Sequence, residues 1–187
     1  MEAMIFLLIG VALASIAVLL RRRFAEFPGQ HPEDYSEGFP AFDMQHHLNG
    51  EMICEGVIFG PLGRVTSSFV ADFDIRWEGE TAVMTERFRY NDGSVQDRTW
   101  HIALQDNGAF TVTAEDVPGH GAGSVTGSAA LIRYDIILPP ESGGHRLRTV
   151  DWMYLTPDGT IVNRSQFRKY GIKVAELIAT IRPKERR

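Results

Sequence analysis

Residues 82–104 read AVMTERFRYNDGSVQDRTWHIAL, and their pairing decides the fold. Asn91-Asp92-Gly93 is a hairpin turn, with Gly93 supplying the left-handed conformation that closes a type I turn and pairs Tyr90 with Ser94. Counting outward sets Phe88 against Gln96, Arg87 against Asp97, Glu86 against Arg98 and Met84 against Trp100. A tighter turn on Asp92-Gly93 would instead oppose Glu86 and Thr99. Opposed charges each stabilise a strand pair by ~0.2–1 kcal/mol, so the register with two charge pairs is favoured. Strand alternation then sorts the faces. Met84, Glu86, Phe88, Tyr90, Arg98, Trp100, Ile102 and Leu104 share one side. Thr85, Arg87, Arg89, Asp97, Thr99 and His101 share the other, which should meet water. The apolar face therefore carries an expected ion pair, Glu86–Arg98, in a setting where a charge is costly unless paired.

Similar segments flank this hairpin. With the hairpin's own strands at 82–90 and 95–105, apolar runs at 51–59, 65–77, 109–116, 124–138, 146–155, 160–170 and 172–182 alternate and are separated by turn sequences such as GPLG, DNG, PPESGG and PDG. The run 172–182 would also suit a helix by propensity. FDMQHHLNG at 42–50 reads as a helical turn leading into the first strand. Successive hairpins make an all-β, antiparallel, up-and-down sheet, and about eight to ten strands close it into a barrel without edges. In VDWMYLTPDGTIVNRS, residues 150–165, the same counting pairs Thr156 with Thr160, Trp152 with Arg164 and Met153 with Asn163. Asp151, Trp152, Tyr154, Asn163 and Arg164 are expected to join a polar network inside the barrel or at its mouth.

The first segment differs. Residues 3–20, AMIFLLIGVALASIAVLL, hold no charge and precede Arg21, Arg22 and Arg23. As a helix they would span about 27 Å, enough for a bilayer core. A cleaved signal peptide wants its positive charge before the apolar run, whereas here Glu2 precedes it. The order argues for a single-pass anchor in the inner (cytoplasmic) membrane. The arginines place the following domain in the cytoplasm, with a periplasmic domain as the alternative. Residues 24–40, with three prolines and four acids, read as a linker between this anchor (1–23) and the barrel (41–187).

Composition excludes other classes. Net charge is −5, which leaves no basic footprint for nucleic acid. Cys54 is the sole cysteine, so neither an intrachain disulfide nor a cysteine-built zinc site is available. His46-His47 lacks a third ligand nearby, and no metal or other cofactor is expected.

On GEMICEGVIFGPLGR (50–64), ERFRYNDG (86–93), RTW (98–100), EDVPGHGAGSVTGSA (115–129), DWMYL (151–155) and NRSQFRKYG (163–171), the chain resembles the bacterial domain of unknown function 3833. The resemblance covers roughly residues 41–183. It implies a lipocalin-like (calycin) barrel associated with the cell envelope, and no activity, ligand or catalytic residue. The chain departs from the family at Val150, where members often carry an acid, and at Ser128, where they tend to have Asn. Many members also follow a lipoprotein signal, where this chain has a plain apolar segment.

Three roles fit these residues. The first is a tethered binding protein for a lipid or other amphipathic small molecule, with Glu86, Arg98, Trp100, Tyr90, Trp152, Tyr154 and Arg164 as the binding set. The second is a lipid-modifying enzyme using Glu86 or Asp151 as acid/base. The third is a closed structural barrel that docks an envelope partner.

Overall fold

The computed structural model describes residues 2–184. Met1 of the expected anchor and 185–187 of the expected barrel lie outside the described residues. The chain divides into two compact units, Met1–Asp34 and Tyr35–Arg187.

In the first unit, α1 (Glu2–Phe24) is one continuous helix whose apolar side chains are exposed along its length. From its last turn, Arg21 pairs with Glu26 at 3.1 Å and Arg23 meets His31 at 3.1 Å. By length and composition α1 is a candidate membrane span, a test that signal sequences also pass. The 24–40 stretch is not featureless, since Phe27–Gly29 and Pro32–Tyr35 form 3-10 turns.

The second unit is a closed antiparallel barrel. Among the described residues it has ten strands: β1 (Gly50–Phe59), β2 (Val65–Glu78), β3 (Thr81–Tyr90), β4 (Val95–Leu104), β5 (Ala109–Thr113), β6 (Gly121–Thr126), β7 (Ala129–Ile137), β8 (Arg146–Leu155), β9 (Ile161–Lys169) and β10 (Ile172–Pro183). Each pairs with the next, and β1 pairs with β10 from Met52↔Pro183 to Phe59↔Glu176. Tertiary pairing settles the helical propensity of the last segment. As a strand, β10 satisfies backbone groups on both sides and removes the two edges that an open sheet would leave.

The β3–β4 register is the one counted from the turn. Glu86 opposes Arg98, Arg87 opposes Asp97, and Tyr90 N–H donates to Ser94 O at 3.0 Å. The outer pair Arg87–Asp97 forms at 3.3 Å. One expected strand is in fact two. The run 124–138 turns at Gly127-Ser128 and separates β6 from β7. Gly127 adopts φ 51°, and a Cβ there would lie 1.9 Å from the Tyr35 carbonyl oxygen, so the turn depends on glycine. Gly123 is constrained differently, because a Cβ would meet the Phe110 ring at 2.3 Å.

Before β1, Asp43 accepts from His46 N–H and caps α2 (Met44–His47), the expected helical turn. Met44 and Leu48 are buried, and Trp77 donates from Nε1 to Leu48 O at 2.8 Å. The main core runs through the barrel interior, from Met52 and Ile75 to Phe110, Ile161 and Ile181.

Candidate functional site

The interior is not wholly filled. A cavity of about 120 Å³ lies among the inner side chains of most strands, with Met44 and Leu48 also on its wall. One part of that wall is polar, formed by Glu86 (β3), Arg98 (β4), Tyr134 (β7), Asp151 (β8), and Asn163 and Ser165 (β9). Alternation brings them together, since each sits at an inward position of its strand.

Arg98 lies flat against Trp100, its Cζ 4.0 Å from the ring centroid, and Trp100 meets Tyr134 edge-on at 5.2 Å. The guanidinium donates from Nε and Nη2 to Asp116 Oδ1 at 3.1 and 2.9 Å. This corrects the expected Glu86–Arg98 ion pair: the two residues are cross-strand neighbours, but the salt bridge is Arg98–Asp116. Sequence reasoning missed Asp116 as a partner, although a signal existed. Gln105 N–H donates to Ala109 O across another short turn, Asp106-Asn107-Gly108. Counting outward from it, as from the first, brings Asp116 opposite Arg98.

Glu86 is 7% exposed. Its Oε2 is buried without a partner. Burial pushes its pKa up to about 7, against the opposing pull of Arg98. Asp151 accepts from Ser165 Oγ at 2.8 Å and from the Asn163 amide, yet burial still lifts it to about 6. Burial also pushes the Tyr134 hydroxyl and the Cys54 thiol up, so both stay protonated near neutral pH.

The remaining expected site residues lie elsewhere. Tyr90, at the end of β3, packs beside Phe69 and Phe88 and donates from its hydroxyl to Gln96 Oε1 at 3.0 Å. Trp152, Tyr154 and Arg164 are on the outer face of β8 and β9, not in the lumen expected for them. The reason is period-two alternation: with Asp151 and Met153 inward, Trp152 and Tyr154 must point outward. Trp152 is nonetheless 1% exposed, with the Tyr35 ring 5.2 Å from it. Arg164 opposes Trp152 in register, as counted, and its guanidinium meets Glu176 at 2.7 Å. Burial acts to raise Glu176, but hydrogen bonds from Lys173, Arg164 and Gln166 outweigh it and hold the carboxyl below its usual range. The polar residues of 150–165 thus divide into an inner set, Asp151, Asn163 and Ser165, and an outer set around Arg164.

His46 and His47 meet edge-on at 4.7 Å, and among the described residues no group of three His, Cys, Asp or Glu is arranged to hold a metal.

The fold has solved counterparts. The S-type phycobiliprotein lyase CPES from Guillardia theta superposes with a TM-score of 0.59 at 8% identity, covering 84% of this chain and 99% of that one. Rv2717c from M. tuberculosis gives a TM-score of 0.57 at 16% identity, covering 75% and 94% respectively. At such identities the likeness is one of fold alone. No curated protein matches the sequence. The family is shown by sequence: matching it over residues 23–183, the chain belongs to the family Protein of unknown function (DUF3833).

Proposed function

We propose that the barrel binds a compact amphipathic small molecule in its lumen, with the ligand's polar group on the wall formed by Glu86, Trp100, Arg98 and Asp151. One observation carries this reading: Glu86 Oε2 is buried beside a cavity and has no partner. An unpartnered buried carboxylate costs stability, and nothing in the fold requires one there. A ligand bearing the missing partner accounts for it. Cavity size sets the scale. An engineered cavity of roughly 150 Å³ in another protein takes benzene, so a lumen of about 120 Å³ suits a compact molecule and not a whole acyl chain. Native mass spectrometry of protein gently purified from its own host tests this. A noncovalent small-molecule adduct is expected. A ligand-free mass, together with no response of the lumen to a library of small fragments, would overturn the reading.

A second reading is favoured by the acidities. Glu86 near 7 and Asp151 near 6 are poised for proton transfer at neutral pH, as a general acid/base needs. Turnover of a bound ligand that stops in Glu86→Gln would support catalysis over simple binding.

The same proposal places the barrel at the inner membrane, tethered by α1 and facing the cytoplasm, because the basic cluster follows the span. Cys54 is buried and is a poor reporter of accessibility. A cysteine replacing the exposed Ser142 should therefore stay unmodified by a membrane-impermeant maleimide in intact spheroplasts and react after lysis. Labelling before lysis would place the barrel outside.

A further inference from the structure

The identity of the ligand's polar group follows from a charge imbalance, and the inference rests on the lumen reading above. Three carboxyl groups, Glu86, Asp116 and Asp151, cluster around one guanidinium. Among the described residues Arg98 is the only cation on the cavity wall, and it already gives two hydrogen bonds to Asp116. Asp151 is held by neutral donors, the Asn163 amide and the Ser165 hydroxyl. Its charge is felt at Glu86. What remains is acceptor capacity at Glu86 with no donor to meet it.

We propose that the lumen selects a compact amine, a primary or secondary ammonium on a small apolar body, whose N–H groups donate to Glu86 Oε2. The positive charge offsets the carboxylates that Arg98 leaves unneutralised. A carboxylate ligand meets the opposite situation. It would add an anion to a wall already in excess of negative charge, and would reach Arg98 only by displacing Asp116. The sequence alone names only an amphipathic ligand for these residues and leaves the sign of its polar head open; the Asp116 salt bridge, which occupies Arg98, is what disfavours an anionic one.

The test uses the full chain in zwitterionic lipid nanodiscs at pH 8, with isopentylamine, isopentanol and isovalerate as probes of one shape and three charges. Saturation-transfer NMR is read against the Glu86→Gln variant, so that binding to lipid cancels. The amine should bind at least about tenfold more tightly than the acid, and Glu86→Gln should weaken the amine by a similar factor and the neutral alcohol by clearly less. Isovalerate binding as tightly as the amine, or an amine affinity indifferent to Glu86→Gln, overturns the assignment and leaves the lumen reading intact. If none of the three probes distinguishes the chain from its variant, and host-purified protein carries no adduct, both fail together.

Discussion

Replacing Arg98 with Met should destabilise the barrel by about 3–5 kcal/mol, the usual cost of removing one partner of a buried ion pair. The guanidinium side chain is 15% exposed and Asp116 24%, so water replaces little of what is lost. Removing the charge strands Asp116 and takes away the cation beside Glu86. Lysine should recover less than half of the loss, because an ammonium cannot donate from two nitrogens of one planar group while lying over Trp100. The double variant Arg98→Met/Asp116→Asn should recover more than lysine does, because it leaves no buried anion behind at that position. Denaturant unfolding of the four proteins measures these differences. A loss below about 1 kcal/mol for Arg98→Met would show that the pair is solvated and that the buried network is not what holds β4 to the chain beyond β5.

Glu86→Gln should act in the opposite direction, and only at higher pH. The folded carboxyl titrates near 7, against 4.5 for an ordinary glutamate. Its pKa is raised on folding, so the folded state holds the proton more tightly. The stability linked to that proton is complete below pH 4.5 and is lost as pH rises toward and through 7. Each tenfold change in proton affinity is worth about 1.4 kcal/mol, so the ionised form weakens the fold by up to about 3 kcal/mol at pH 8. Glutamine cannot ionise. The stability gap between variant and wild type should therefore be smallest near pH 4.5 and widen to about 3 kcal/mol in favour of the variant by pH 8. Asp151, lifted to about 6 from 3.8, lowers the stability of both proteins with the same sign between those values and so does not account for the gap. Unfolding midpoints measured every half unit of pH give the curve. A gap independent of pH would mean that Glu86 is not buried as a titrating group.

These two residues also show how far sequence reading reaches. The Asn-Asp-Gly turn alone places Glu86 and Arg98 opposite each other on the inner face, because a short turn leaves only one register that opposes both charge pairs. The bond between them does not follow. Register sets which Cα atoms face each other. A guanidinium several bonds from its own Cα goes to whichever carboxylate offers the better geometry, and that is Asp116, supplied by the chain after β5.

The β8–β9 hairpin divides in the same way. The pairings Trp152–Arg164 and Met153–Asn163 are countable from the Thr-Pro-Asp-Gly turn. Which face is inward is not, because both faces carry apolar residues. A large indole at Trp152 looks like core, and it is buried, but by Tyr35 on the outside of the barrel. No local pattern announces that a segment more than a hundred residues away will cover that face. By itself the sequence determined most of the strands, the register of the two hairpins counted from their turns, and the apolar character of α1, because these depend on neighbours within one turn or one helix. Only the tertiary structure decided that the sheet closes through β1 and β10, that 172–183 is strand, that Arg98 is neutralised by Asp116, and that Glu86 faces a cavity with an empty acceptor. Each of these depends on groups brought together by closure across the full length of the barrel, where burial and charge act through space and not along the chain.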